Sequence, residues 1–236
     1  MGADDEERRG DGRRFTREWS EEIDLEDGTP VLLRLLRPED RSALLDAFQK
    51  LSPQSRYTRF FTAMPRLPPH VLDALMQSDE DHVAIVAGGP PEAEEAIEGY
   101  GVARFARVPD PPRTAEAAVT VADHMHRRGL GTLLLSRLIE AARERGIETF
   151  RVEILRNNAA VNALLHDFDT GSGPEEVDGP MAVYQLSLAG EPAGPLFRLL
   201  NLAAKGVEIF VRHLPSLEPR ASDRGPEGGA RDQTSG

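Results

Sequence analysis

His126-Arg127-Arg128-Gly129-Leu130-Gly131-Thr132-Leu133-Leu134-Leu135 is the stretch on which the reading of this chain turns. It lies between a strand-like run, Ala115 to Ala122, and an amphipathic helical pattern that stops at Gly146. Two glycines let the backbone turn tightly and approach a ligand with no Cβ in the way. The helix that starts there offers unpaired N–H groups and the positive end of its dipole, which together favour an anion. Arg127 and Arg128 flank the turn and add donors suited to phosphate. Strand, basic glycine turn and helix, in that order, describe a cradle for a pyrophosphate.

Spacing separates the sites that use such a cradle. A P-loop needs a Lys-Ser/Thr pair after its second glycine, and here Gly131 is followed by Thr132-Leu133. A dinucleotide fingerprint needs a third glycine where Leu134 stands and an acid closing the next strand. That strand, Thr149 to Leu155, ends in apolar residues. A basic residue followed by Gly-x-Gly and a Leu-rich helix resembles the acyl-CoA pyrophosphate loop of the GNAT acetyltransferases. The plainer alternative is a tight strand-to-helix turn carrying exposed arginines.

Outward from the turn, the chain of 236 residues has room for one sizeable domain plus tails. Its 39% hydrophobic content supports a core, and no apolar run reaches the roughly 18 residues of a membrane span. The amino terminus is charged from the start and lacks a signal-peptide core, so a cytoplasmic location is expected. There are no cysteines, which removes disulfides, thiolate metal sites and a cysteine nucleophile. His70, His82 and His124 show no metal-ligand spacing, and no metal is expected. With 40 acids against 28 bases the net charge is −12, against general nucleic-acid binding. Distant acids are screened over about 8 Å, so they do not cancel the local basic loop.

Residues 1–20 form a charged run expected to be disordered. Val31 to Arg37 reads as a buried first strand. Pro38 suits a helix start, with Leu44, Leu45, Phe48 and Leu51 at helical spacing. Ser52-Pro53 opens a second short helix carrying Tyr57, Phe60 and Phe61. Pro68 to Gln77 suggests another. His82–Ala87, Ala96–Ala106 and Thr114–Ala122 are strand candidates forming a meander. The helix from Gly129 or Leu130 buries Leu130, Leu134, Leu138 and Ala142. Phe150, Val152 and Ile154 alternate with charged residues, as a half-buried strand does. Asn157 or Asn158 caps a short helix, Asp169 to Pro180 suggests a frayed strand, and Met181 to Leu188 closes the sheet. The domain is expected over 21–190, an amphipathic helix over 191–214 and a loose tail over 215–236. The helix is a candidate homodimer contact.

This order of elements resembles the GNAT fold, an α/β (α+β) arrangement with a mixed central sheet, a splayed fourth strand and helices on both faces. Asp27-Gly28-Thr29-Pro30 through Arg34, Arg37-Pro38-Glu39-Asp40 and Leu51-Ser52-Pro53-Gln54-Ser55-Arg56-Tyr57-x-Arg59-Phe60-Phe61 resemble a narrower group, the acetyltransferase domain of bacterial Pat-like protein-lysine acetyltransferases. The resemblance implies acetyl-CoA as cosubstrate and an amine acceptor, a protein lysine in the narrower group. It implies that the splayed strand, Ala115–Ala122, pairs with the pantetheine arm, with Val119 and Val121 flanking it. It places the pyrophosphate on the backbone of Arg127, Arg128, Gly129, Leu130, Gly131 and Thr132, and Asn158 near the pantetheine.

Acyl transfer needs a neutral amine. A lysine of pKa about 10.4 is neutral in about one molecule in 2,500 at pH 7, so a base must take its proton. Glu116 stands where the resemblance puts that base; otherwise it is a solvated strand-edge acid. Leu165 occupies the position where many GNATs carry a tyrosine acid. A thiol of pKa about 8.5 leaves well without one. His166 points about 100° away from Leu165 on a helix, and Tyr57, Tyr100 and Tyr184 are the substitutes. His126 replaces the common Gln or Arg, and Asp167-Phe168 the common Gly-Phe. The expected activity is N-acetyl transfer from acetyl-CoA to an amine. Two alternatives stand: a small-molecule amine acetyltransferase, and a non-catalytic acyl-CoA-binding regulator.

Overall fold

Alternating apolar residues build the centre of the molecule. The computed structural model describes residues 13–53, 65–90, 99–155, 176–178 and 181–189. Among these, eight strands form one sheet: β1 (Ser20–Asp24), β2 (Pro30–Leu35), β3 (His82–Gly88), β4 (Gly99–Arg107), β5 (Thr114–Val121), β6 (Thr149–Leu155), β7 (Glu176–Asp178) and β8 (Met181–Ser187). Their order is β1-β2-β3-β4-β5-β6-β8-β7. All neighbours are antiparallel except β5 and β6.

Period-two alternation divides the sheet's faces. Leu33, Leu35, Val83, Ile85, Ala103, Phe105, Ala117, Val119 and Phe150 share one core with α3 (Leu130–Glu144). That helix presents Leu130, Leu134, Leu138 and Ala142 to it, as its 3.6-residue period requires. Gly101 marks the closest approach: a Cβ there would meet the Leu134 side chain and the Thr120 carbonyl oxygen, both at 2.9 Å. The opposite face lies under α1 (Arg41–Lys50) and α2 (Pro69–Leu75). Phe48 packs with Leu67, Val71, Leu72 and Leu75 in a second cluster there. Helices thus cover both faces, and none among the described residues is long and apolar enough to cross a membrane.

Several expectations change. The strand at Val31 is the second, not the first, because Ser20–Asp24 pairs along it in antiparallel register. The tail does not run to residue 20: Phe15 and Trp19 are buried in the main core, their ring centroids 4.7 Å apart. Arg14 adds to this anchor, donating to Glu140 at 2.7 Å and to Glu21 at 2.9 Å. Pro38 opens a single 3-10 turn before the α-helix begins at Arg41. The segment expected to fray contains the three-residue β7. The Ser52–Pro53 helix beyond residue 53, the Asn157/Asn158 helix, and residues 191–236 lie outside the described residues.

Candidate active site

The sheet parts between β5 and β6. Their parallel pairing covers only Thr114↔Thr149, Ala115↔Phe150 and Glu116↔Arg151, although β5 continues to Val121 and β6 to Leu155. The antiparallel pairing of β5 with β4 decides what the gap contains. The Ala122 N–H donates to the Tyr100 carbonyl at 2.8 Å and the Val108 N–H to the Thr114 carbonyl at 3.0 Å. Even-numbered residues of β5 therefore bond to β4, and Ala117, Val119 and Val121 turn their backbone groups to the other side. Beyond Glu116 no strand among the described residues pairs with that edge. The valine side chains are buried against α3, so only their backbone faces the gap. The Val121 carbonyl is taken: His126 Nε2 lies 3.0 Å from it.

Glu116 sits where the two strands part. It is 3% exposed, on the face opposite α3, and its register partner on β6 is Arg151. It is not the solvated edge acid of the plainer reading.

Past Val121 the chain makes a 3-10 turn, Asp123–Met125, and reaches the glycine turn. The Asp123 carboxylate accepts the Ser52 N–H at 3.2 Å, which fixes the end of α1 near this turn. Arg127 and Gly129 both have left-handed backbone, at φ 62° and 84°. Gly129 caps α3, and the first helical bond runs from the Leu133 N–H to the Gly129 carbonyl at 3.0 Å. The N–H groups of Leu130, Gly131 and Thr132 thus belong to the first turn, where a helix has no internal partner for them.

The two arginines differ. Both are exposed, but the Arg128 guanidinium holds the β1–β2 hairpin, donating to Thr29 Oγ1 at 3.0 Å and lying 3.3 Å from Asp27 Oδ2. Asp27 has its pKa lowered by hydrogen bonds from Thr29 and by Arg128. Arg128 was expected as a phosphate donor like Arg127, and its side chain is engaged elsewhere. Asn158, Leu165, His166, Tyr57 and the Tyr184 side chain lie outside the described residues. Tyr100 is on β4, its ring edge-on to His124 with centroids 5.8 Å apart.

A cavity of about 280 Å³ that has no signal in the sequence lies on the face opposite α3, between the sheet and α1 with α2. Arg34 and Asp40 form part of its wall, paired through two bonds of 2.7 and 2.6 Å. Asp40 also accepts the Arg37 N–H at 2.7 Å. Burial raises the Asp40 pKa, but these donors outweigh it and leave the carboxyl below its ordinary value. Arg34 and Arg37-Pro38-Glu39-Asp40 both belong to the blocks that carry the resemblance, and a cation inside an apolar strand is the signal that Arg34 needs a partner such as Asp40.

A mixed sheet opened at one seam, with a helix amino terminus at its mouth, defines the N-acetyltransferase fold class. Residues 43–168 match the Acetyltransferase (GNAT) family. An acetyltransferase of Pseudomonas aeruginosa is 34% identical over 143 residues, covering 60% of this chain and 74% of that protein. Acetyltransferase Pat of Mycolicibacterium smegmatis is 29% identical over 171 residues, covering 67% of this chain and 48% of that protein, so the chain spans about half its length. The crystal structure of the GNAT domain of S. lividans PAT superposes with a TM-score of 0.61 at 25% identity, covering 73% of this chain and 99% of that one. The chain belongs to the GNAT family: it is an acetyltransferase, with acetyl-CoA as donor and an amine as acceptor.

Proposed function

We propose that Glu116 is the general base of a direct transfer from acetyl-CoA to a primary amine, with a protein lysine as acceptor. The observation that carries the base role is its position: a carboxylate almost fully shielded from water, at the point where the sheet opens. The amine nitrogen forms a bond to the thioester carbonyl carbon, the carbon–sulfur bond breaks, and the amine proton passes to Glu116, directly or through a water. The sulfur leaves as thiolate or thiol, a competent leaving group without a dedicated acid.

The donor is held by this chain's backbone in this reading. Ala117, Val119 and Val121 line the parted edge, where an extended amide-bearing arm can take the place of a strand. The N–H groups from Arg127 to Thr132 receive the pyrophosphate at the helix end. Arg127 contributes its guanidinium, and Arg128 contributes backbone and holds the loop in place. Asn158 is assigned to the pantetheine on family resemblance. The lysine acceptor is supported by the likeness to Pat and to the PAT domain.

The test is Glu116→Gln. Titration calorimetry should give acetyl-CoA affinity close to that of the parent, while turnover on a lysine-peptide panel falls by about 10²- to 10⁴-fold. Undiminished turnover removes Glu116 from the mechanism. Tight donor binding in the parent with no transfer to any amine favours the regulatory reading.

A further inference from the structure

Arg104 stands on β4 in the wall of the 280 Å³ cavity and is 7% exposed. Its side chain makes no hydrogen bond or ion pair with any described residue. Its cross-strand neighbours are Ala84 on β3 and Ala118 on β5, two small side chains that leave room around the guanidinium and offer it nothing. Burial alone lowers its pKa. The other charges in the same wall are accounted for: Arg34 and Asp40 neutralise each other, and Glu39 is exposed. Thr120, also in the wall, has a hydroxyl oxygen shielded from solvent with no hydrogen-bond partner among the described residues. An uncompensated buried cation is costly, and it persists readily where a ligand supplies the missing charge.

The location matters as much as the charge. Arg104 pairs with Ala118, and Glu116 pairs with Ala106, on the same face of the same two strands. Such diagonal neighbours lie about 7–8 Å apart at their backbones. A group bound by Arg104 therefore sits beside the place where the reacting amine must reach Glu116.

We infer that the cavity is a subsite for the acceptor, in which Arg104 and Thr120 hold a carboxylate carried close to the reacting amine. A guanidinium binds a carboxylate through two parallel donors, and a threonine hydroxyl adds a third. The carboxylate comes either from a small amino acid-like amine or from an acidic side chain next to an acceptor lysine. This inference rests on Glu116 marking the reaction centre.

The experiment uses the full chain with saturating acetyl-CoA and matched acceptors: lysine against cadaverine, 6-aminohexanoate against hexylamine, and lysine peptides flanked by Glu against Gln. The carboxylated member of at least one series should be preferred by about 10- to 100-fold in kcat/KM, mainly through KM. The series that shows the preference identifies the source. In Arg104→Gln the preference should shrink to about twofold, and Arg104→Lys should restore part of it. An acetyl-CoA titration on each variant checks that it folds. Calorimetry with 6-aminohexanoate and with the Glu-flanked peptide supplies a readout that needs no turnover. If no amine is acetylated but one of these still binds, and Arg104→Gln and Arg104→Lys both weaken it, the subsite stands and the base assignment falls. Equal use of both members of every pair, or a preference that survives Arg104→Gln, overturns the subsite. If there is no turnover, absence of carboxylate binding, or binding that Arg104→Gln leaves intact, overturns it too.

Discussion

Gly129 has φ 84° and nothing within 4 Å of where a Cβ would stand, so a substitution there is opposed by backbone strain and not by a clash. Gly129→Ala should lower stability by about 1–2 kcal/mol in urea unfolding and weaken acetyl-CoA binding as the turn readjusts. Undisturbed affinity would mean that the donor does not rest on this turn. The neighbouring arginines make a sharper comparison. Arg127→Ala should weaken acetyl-CoA binding more than Arg128→Ala, and the difference should fade as salt rises, because both are exposed but Arg128 is committed to Asp27 and Thr29. The reverse ranking by calorimetry at low ionic strength would contradict the division of labour. Asp40 offers a test through pH. Its folded pKa lies below its unfolded value of about 3.9, so the stability it contributes is present above that value and is lost as pH falls through the folded pKa. Asp40→Asn leaves the Arg34 cation buried without its counter-charge and should cost about 3 kcal/mol at pH 7. The deficit should hold to pH 5 and narrow below about pH 4 in denaturant titrations.

At the scale of elements, the β1 strand and the segment before it show why part of the fold was hidden. Glu21 accepts two bonds from Arg137 of α3, at 2.8 and 2.7 Å, and Phe15 is buried in the core. Phe15→Ala should cost about 3–5 kcal/mol, and deleting residues 1–19 should destabilise far more than deleting 1–12. Equal melting temperatures for the two truncations would show that the anchor is incidental. None of this was legible, because Ser20-Glu21-Glu22-Ile23-Asp24 is an edge strand dressed in charge, as exposed edges commonly are. The two aromatics sit singly among arginines and acids. Strands with an unambiguous apolar face, β3, β5, β6 and β8, were readable, as was α3 between its glycine cap and Gly146. The glycine turn was legible because its chemistry is local in sequence. The isolation of Arg104 was not, since it follows from register across three strands, and neither was the cavity, which needs helices and sheet together.

For the molecule as a whole, the consequence lies in how few backbone pairs join β1–β5 to β6, β8 and β7, although Phe150, Leu186 and Leu188 share the main core with α3. Three residue pairs connect them through the sheet. Near the same end, Arg143 Nε donates to the Leu188 carbonyl at 2.9 Å and the Leu188 N–H to the Glu148 carbonyl at 2.8 Å. In the proposed binding mode a donor arm in the opening would add hydrogen bonds to the β5 edge that faces it. Ligand at a hundred times its Kd adds about 2.7 kcal/mol of stability by mass action, and that gain need not be spread evenly. Amide protons of β6 and β8 should become slower to exchange in deuterium along with that of Val119. A donor seated at the seam in the proposed way would be a brace across the sheet as well as a reactant.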